Sequence, residues 1–300
     1  MAFTSINELQ EQLVDPKWPI VAINNPSDIA NALVNIGRFA RICKDPCGND
    51  ELSDEVYEKI GKHCISSGHF SPCRHIMWHF TVYNMSRVAS HQLVRHKTGV
   101  AINQQSGVFT EITFNNNPLI LPPHLRALIK ESPEISYELA EGLALIENGM
   151  QRLKEKYPNI SNSDMRYLMP NACSTAMNIA VSPEALVHIC HERLCTKAQP
   201  EIRHIVNQMA KAVTMIDPWW EQYLVPKCVH LNGCNEKLGC GYYNKVQANK
   251  FGEINVEPLE VRIKGVSCKN CGTVLLHKDD DPSPLTDGLC RKCAREATEE

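Results

Sequence analysis

Aromatic residues are scarce in this 300-residue chain, at 6% of the sequence, and the formal net charge is only -3. So small a net charge excludes a global basic field that would recruit nucleic acid or an anionic membrane. No apolar run approaches the ~20 residues that a membrane-spanning helix needs. The N-terminal segment contains acidic residues and lacks the apolar core of a secretion signal. We therefore expect a cytoplasmic protein with no membrane partner, in which local clusters of Arg, Lys and His bind any anionic ligand.

Cysteine, in contrast, is abundant, with 14 residues. In a chain without a secretion signal, this number indicates thiols and metal ligands rather than a disulfide framework. Four cysteines form two Cys-x-x-Cys pairs, Cys268 with Cys271 and Cys290 with Cys293. Two such pairs can place four thiolates tetrahedrally around Zn²⁺. The sequence therefore predicts a small zinc ribbon, whose folding free energy the metal would supply because the tail has few apolar residues.

The surroundings of the predicted ribbon leave its role open. Basic residues in the tail allow nucleic acid or a protein as a partner, whereas the run Asp279 to Asp281 argues against a uniformly basic face. Three further cysteines, Cys228, Cys234 and Cys240, have irregular spacing. A second metal bound by these three is an alternative to their being free thiols.

The order of helix-like and strand-like segments favours an α+β fold with mixed or antiparallel strands and long helices. Alternation over 76–83 predicts a strand, and the run Met177 to Val181 predicts another. The composition changes after about Cys240. We therefore predict a main domain over 1–245 and a linker with the zinc ribbon over 246–300.

Apolar spacing of three and four residues, together with capping residues, predicts the helices. Ser-Pro pairs at 132–133 and 182–183 suit helix starts, because proline lacks a donor that would be unpaired there. Predicted helices cover 27–43, capped by Ser27, and 53–64, and a third is opened by Ser86. A long amphipathic helix has the face Ile135, Leu139, Leu143, Ile146 and Leu153. The last runs from Ser182 towards Ile216, with a kink or break at Pro200.

Polar chemistry is concentrated in a segment that begins with Arg95, His96 and Lys97 and continues into a polar, Gly-containing loop. Arginine supplies a bidentate fork and loop amides supply further donors, so this segment predicts a phosphate cradle. The alternative is a solvated helix terminus, at which cations offset the helix dipole.

Three ordered segments resemble the flavin-dependent thymidylate synthases. The signature of that family is Arg-His-Arg, a short spacer and a serine in a polar loop, and here it stands as Arg95-His96-Lys97 followed by Asn103-Gln104-Gln105-Ser106. The match extends upstream to His-x-Ser-Pro-x-x-His, and downstream to Arg-x-x-x-Pro-Asn-Ala and Arg-Leu-Cys-x-x-Ala-Gln-x-Glu-Ile-Arg. It covers roughly residues 27–241.

The resemblance implies methylation of a uridine nucleotide at the fifth ring carbon, dUMP to dTMP. Methylenetetrahydrofolate would supply the carbon, NADPH the hydride, and FAD would mediate between them. It also implies a homotetramer with the flavin between subunits. One alternative is a related pyrimidine-nucleotide C5 one-carbon transferase with an altered substrate. Another is a non-catalytic zinc-containing binding protein on a decayed enzyme core.

The resemblance also implies roles for individual residues. Arg193 would be the catalytic residue, a fixed guanidinium that stabilises negative charge on the uracil ring. Cys190 and Cys195 would pack the helix rather than act as nucleophiles. The residues implied to bind the flavin are His69, Ser71, Arg95, His96, Lys97, Asn103 and His188. Those implied to face the nucleotide are Gln92, Arg95, Gln104, Ser106, Gly107, Arg166 and Arg193.

The sequence departs from the family pattern at several of these places. Lys97 replaces an arginine and loses its planar fork. The spacer before Ser106 is one residue longer, and Val108 and Phe109 stand in place of Arg-Tyr. The loss of one charged phosphate contact costs about 1.5–3 kcal/mol if nothing replaces it.

Two further departures reverse charges. Ser182 and Glu184 stand where the family has an Asn and an Arg beside the flavin, and Arg74 stands in place of a Glu. A compensating exchange is one explanation, which the sequence alone leaves open.

Overall fold

The computed structural model describes residues 4–15, 17–45, 52–111 and 113–244, with the backbone of 265–267 and 274–276. The helices run over α1 Ile6–Val14, α2 Pro26–Ala30, α3 Ala32–Arg41, α4 Asp54–Ser66, α5 Arg87–Leu93, α6 Pro123–Glu131, α7 Pro133–Lys156, α8 Asn162–Met165, α9 Pro183–Arg193, α10 Pro200–Ile216 and α11 Lys227–His230. Short 3₁₀ helices cover Ser71–His75, Arg166–Leu168 and Pro218–Gln222. Within the described residues, no helix is both long enough and apolar enough to cross a membrane.

The described part of the main body contains an antiparallel sheet of strands β1 Ile20–Ile23, β2 Trp78–Ser86, β3 Val100–Gln104 and β4 Ser174–Val181. Their spatial order is β1-β2-β4-β3. Helices around a small antiparallel sheet make this an α+β fold, so the predicted fold class is confirmed in its general form.

Strand β2 confirms the alternation read from the sequence. Trp78, Phe80 and Val82 are completely buried, whereas His79 is exposed. The strand is longer than predicted because it continues past an irregularity between Val82 and Met85. Asn84 lies there with a φ of 54°, a left-handed conformation that asparagine tolerates better than most residues.

Strand β3 was missed in the sequence, where its residues read as a polar loop. It pairs with β4 so that Asn103 lies opposite Asn178. Gly99, which precedes it, has a φ of 67°, and a Cβ there would lie 2.4 Å from Ser182 Oγ. Only glycine fits this position, because both the conformation and the close approach exclude a side chain.

Two predicted helices are each interrupted in the structure. The helix predicted over 27–43 is divided at Asn31, whose side chain donates to the carbonyl of Ser27 at 2.8 Å. Such side-chain bonds compete with the helix, and Ser27 lies inside α2 rather than at its cap. The helix predicted from Ser182 towards Ile216 separates into α9 and α10, and α10 begins at Pro200, where the sequence predicted a kink or break. Gln199, which precedes this proline, has an extended backbone with ψ 136°.

The second predicted helix starts as expected and extends further. Ser53 is at its N-cap, and the helix runs to Ser66. Val56 is exposed, and the buried residues of this helix are Gly61 and Ile65.

Two apolar clusters form the core of the described residues. The larger surrounds the sheet and contains Trp78 and Trp220, whose rings meet edge to face at 4.9 Å. The smaller packs α1, α6 and one side of α7 around Phe114. The prediction of the apolar face of α7 is wrong in part. Of its five residues, Leu143 packs on this cluster, whereas the other four are exposed: Ile135, Leu139, Ile146 and Leu153.

The predicted zinc ligands Cys268, Cys271, Cys290 and Cys293 lie outside the described residues. Two short antiparallel strands, β5 Gly265–Ser267 and β6 Val274–Leu276, bracket the first pair in sequence. No group of three or more His, Cys, Asp or Glu in the described ranges is arranged to hold a metal. The alternative of a second metal at Cys228, Cys234 and Cys240 is therefore not supported.

Candidate active site

Two strand-to-helix junctions carry predicted site residues. Ser86 ends β2 and caps α5, its Oγ accepting from the amide of Ala89 at 3.0 Å. Ser182 follows β4 and caps α9 in the same way, through the amide of Ala185 at 3.3 Å. The β2–β4 pairing fixes both junctions on the sheet. Helix α5 thereby positions Gln92, and α9 positions His188 and Arg193.

Arg193 and His96 form the central contact of the site. The Nε of Arg193 donates to Nε2 of His96 at 3.0 Å, so this nitrogen of the imidazole is unprotonated. The ring of His188 lies 6.1 Å from that of His96, nearly perpendicular to it. Burial, reinforced by the charges of Arg193 and His188, lowers the pKa of His96. The neutral imidazole fixes the orientation of the guanidinium, and the two Nη groups lie outside this hydrogen bond.

A buried carboxylate supports the start of α5. Glu201 is 1% exposed, and its two oxygens accept from the amide and the Oγ of Ser86, both at 2.6 Å. Burial raises the pKa of Glu201, and the bonds from Ser86 oppose that rise. No role for Glu201 was predicted from the sequence. Its place in the first turn of α10, where a helix favours negative charge, was the available signal.

Gln92 is tied to the same network. Its side-chain amide donates to Oε1 of Gln199 at 3.1 Å, and the side chain of Gln199 also hydrogen-bonds to Glu201. Gln199 has an extended backbone at the break between α9 and α10. This break, which the sequence predicted at Pro200 as a kink or break, therefore places the residue that orients Gln92.

Gln104, Ser106 and Gly107 lie at and beyond the end of β3. Nε2 of Gln104 donates to Ser90 Oγ at 3.2 Å and to Thr175 Oγ1 at 3.4 Å. The Oγ of Ser106 accepts from the amide of Val108 at 3.2 Å, and Gly107 is buried. The turn exposes Phe109, which is 87% accessible.

Arg74 and Glu184, the two charge-reversed residues, bind each other. The Arg74 Nε and Nη2 contact the two carboxylate oxygens of Glu184 at 2.7 and 3.0 Å. The two charge reversals therefore compensate each other within the chain, which is the compensating exchange that the sequence left open. The bond connects the 3₁₀ helix that contains Ser71 to the first turn of α9.

The remaining predicted residues lie at the surface. The side chains of His69, Ser71, Arg95, Lys97, Asn103, His188 and Arg166 are exposed. Within the described part of the chain, no side-chain hydrogen bond or ion pair joins Arg95, Lys97 or Arg166 to the Arg193–His96 pair. The structure therefore brings together Arg193, His96 and His188, and separately Gln92, Gln199 and Glu201.

Three cysteines near this region, Cys73, Cys173 and Cys190, are buried, whereas Cys195 is only partly buried. Cys190 is completely inaccessible, and burial raises the pKa of its thiol. The pKa values of Cys73 and Cys173 are raised to about 12, chiefly by burial. Thiols with such pKa values are poor nucleophiles at neutral pH, which agrees with the packing role predicted for Cys190.

Comparison with known proteins identifies the family. The model described as "Thymidylate synthase complementing protein" matches residues 27–219. A flavin-dependent thymidylate synthase from Clostridium tetani is 31% identical over 222 residues, covering 69% of this chain and 87% of the relative. Another from Sulfurisphaera tokodaii is 32% identical over 178 residues, covering 59% of this chain and 66% of the relative.

Solved structures similar to this chain include thymidylate synthase X from Helicobacter pylori with FAD and dUMP. Its TM-score is 0.48 at 19% identity, with 71% of this chain and 99% of that chain covered.

The sequence matches define an enzyme of the thymidylate synthase class. The chain belongs to the flavin-dependent thymidylate synthase family. The alternative of a non-catalytic binding protein is not supported by these relatives.

Proposed function

We propose that this enzyme methylates dUMP to dTMP at the fifth ring carbon, with FAD, methylenetetrahydrofolate and NADPH. The observation that carries the proposal is the Arg193–His96 pair, in which a neutral imidazole fixes a guanidinium at 3.0 Å. Preorganised cations of this kind stabilise charge that develops in a transition state. Arg193 would act on the uracil ring as it becomes nucleophilic.

The residues present fit a flavin dinucleotide chemically. Arg95 and Lys97 are exposed cations on either side of His96, which suits an anionic diphosphate. His69, Ser71, Asn103 and His188 add exposed groups that donate hydrogen bonds. When bound, FAD would supply the redox chemistry between the nicotinamide and the carbon donor. The Arg74–Glu184 bond would hold the Ser71 segment against α9.

The nucleotide would meet a separate set of side chains. Gln92, oriented by Gln199, and Gln104, held by Ser90 and Thr175, would be fixed before the ligand binds. Ser106 and Gly107 would contribute from the turn after β3, and Arg166 would contribute a cation. Prepositioning of this kind reduces the conformational entropy lost on binding.

One observation favours the alternative of a related C5 transferase with an altered substrate. The turn after Ser106 presents Val108 and Phe109, 47% and 87% exposed, in place of a cation. An apolar surface at this position is poorly suited to a nucleotide phosphate. Pyrimidine nucleotides should therefore be compared directly.

A turnover assay with FAD, NADPH and methylenetetrahydrofolate tests the proposal across uridine and cytidine nucleotides. We expect dUMP to be the preferred substrate and mass spectrometry to show the C5-methylated product. Omission of FAD from flavin-free protein is the control and should abolish product. A different preferred nucleotide would support the altered-substrate alternative. Absence of product from every nucleotide would contradict the proposed function.

We propose, further, that the enzyme is a cytoplasmic homotetramer with its flavin between subunits. In such an assembly, FAD binding and subunit association are linked and stabilise each other. The resemblance to the family supports this arrangement. The zinc ribbon over 246–300 would remain an appendage to the main domain over 1–245, with nucleic acid left open as its partner.

Truncation of the chain near Val256 should remove the ribbon zinc and leave FAD binding largely intact. A closed four-thiolate site has no open position for substrate, so this zinc would be structural. We expect metal analysis to show about one zinc fewer per chain, since one tetrahedral ion takes four ligands.

Cysteine-to-serine pairs in the full chain sharpen this test. Cys268→Ser with Cys271→Ser should reproduce the zinc loss, whereas the control pair Cys228→Ser with Cys234→Ser should retain zinc. Unchanged zinc after truncation would contradict the ribbon assignment. Simultaneous loss of zinc and FAD would instead make the ribbon part of the catalytic assembly.

A further inference from the structure

Helix α7 carries an apolar stripe that the described part of the chain leaves uncovered. Ile135, Leu139, Ile146 and Leu153 follow one side of this 24-residue helix and are 51%, 42%, 39% and 36% exposed. The adjacent side is buried through Ser136, Ala140 and Met150. A helix about 36 Å long therefore packs on its own chain with one side and presents a second apolar side to solvent.

The charges beside this stripe have opposite signs in the two halves of the helix. Glu134 and Glu138 flank Ile135, and Arg152 and Lys156 flank Leu153 at the same two spacings. Glu134 is 18 residues from Arg152, and Glu138 is 18 residues from Lys156. This separation is about five helical turns, so all four charges lie along one edge of the stripe. All four residues are exposed.

Glycines occupy the same edge between the two charged halves. Gly142 and Gly149 are exposed, and a Cβ at either position would meet no atom within 4 Å. Small residues at a helix surface allow another backbone to approach closely. The edge therefore combines acidic charge, two glycines and basic charge in that order.

We propose that α7 pairs antiparallel with α7 of a second copy of this chain, around a two-fold axis at Leu145. The axis at Leu145 makes Glu134 face Lys156 and Glu138 face Arg152, each twice in the dimer. It also sets one apolar stripe against the other. A two-fold interface must be complementary to itself, and this edge satisfies that condition because it carries both signs symmetrically about its midpoint.

The inference rests on the homotetramer of the proposed function and specifies one of its interfaces. A parallel pair would place like charges together, which the antiparallel pair avoids. Leu145, 67% exposed, would lie at the axis. A partner with a uniformly acidic or basic surface would match only half of the edge.

Two charge-reversal variants of the full-length protein test the pairing. The first, Glu134→Lys with Glu138→Lys, makes both halves basic, and the second, Arg152→Glu with Lys156→Glu, makes both halves acidic. In each variant alone, like charges would face each other across the α7 pair and repel. We therefore expect the mass of each variant, measured by light scattering, to fall by half relative to the parent. An equimolar mixture restores all four opposite-charge pairs, and we expect the parent mass to return. Glu155→Lys, on α7 away from the stripe, is the control.

Three outcomes would overturn the pairing. The parent could be monomeric, both variants could keep the parent mass, or the mixture could remain dissociated. Circular dichroism of each variant confirms that α7 is folded, and Leu139→Glu provides an independent disruption of the stripe. A monomeric parent that still forms dTMP would contradict the pairing without contradicting the proposed reaction.

Discussion

Replacement of Arg193 by alanine should lower turnover by ~10²–10³-fold, the usual effect of removing one preorganised electrostatic group. FAD occupancy should remain close to that of the parent, because the proposed partner of Arg193 is the pyrimidine ring. The substitution leaves His96, which is half-buried in the parent, in the sequence. The loss should therefore appear mainly in kcat, with a smaller change in KM.

The measurement combines steady-state kinetics with the absorbance of bound flavin. Arg193→Lys keeps the charge but loses the fork that donates to His96, so we expect only partial recovery. Arg203→Ala is a matched control, since that guanidinium donates to the carbonyl of Thr196 at 2.9 Å and lies on α10. Near-normal turnover in Arg193→Ala would remove this residue from the mechanism.

The features that the sequence predicted correctly are those specified by neighbouring residues. Alternation placed Trp78, Phe80 and Val82 on the buried face of β2. Ser86 and Ser182 were recognised as helix caps because their side chains act within three residues. The three ordered motifs led to the family, which the comparison with relatives confirms.

The features that it missed depend on contacts between distant parts of the chain. Strand β3 is short and ends in the polar residues Asn103 and Gln104, and its identity comes from pairing with β4 rather than from its own pattern. Glu201 is held by Ser86, which is 115 residues away, and Arg74 reaches Glu184 across 110 residues. Periodicity within a segment contains no information about such pairs.

Helix α7 shows a different limit. Its apolar face was identified from spacing, but spacing does not say what covers that face. The structure divides the face, burying Leu143 partly while exposing Ile135 and Ile146. An amphipathic pattern therefore predicts contact with something apolar, which can be another chain as well as the same one.

Replacement of Glu201 by alanine should lower the free energy of unfolding by several kcal/mol. Each hydrogen bond to a charged group contributes about 1.5–3 kcal/mol, and Glu201 accepts two from Ser86 at 2.6 Å. The change would leave the Ser86 amide buried without its acceptor and open a cavity at a site that is 1% exposed. Urea unfolding measures the loss.

Matched variants separate the charge from the packing. Glu201→Gln keeps the size and one oxygen acceptor for the Ser86 amide, so we expect a smaller loss than with alanine. Ser86→Ala removes the Oγ donor and the α5 cap, whose loss alone costs about 0.5–2 kcal/mol. The control Glu221→Ala changes an exposed residue and should stay within about 0.5 kcal/mol of the parent. A loss in the free energy of unfolding as small for Glu201→Ala as for this control would contradict the prediction. The buried carboxylate would then not hold the start of α5, and the orientation of Gln92 through Gln199 would need another source.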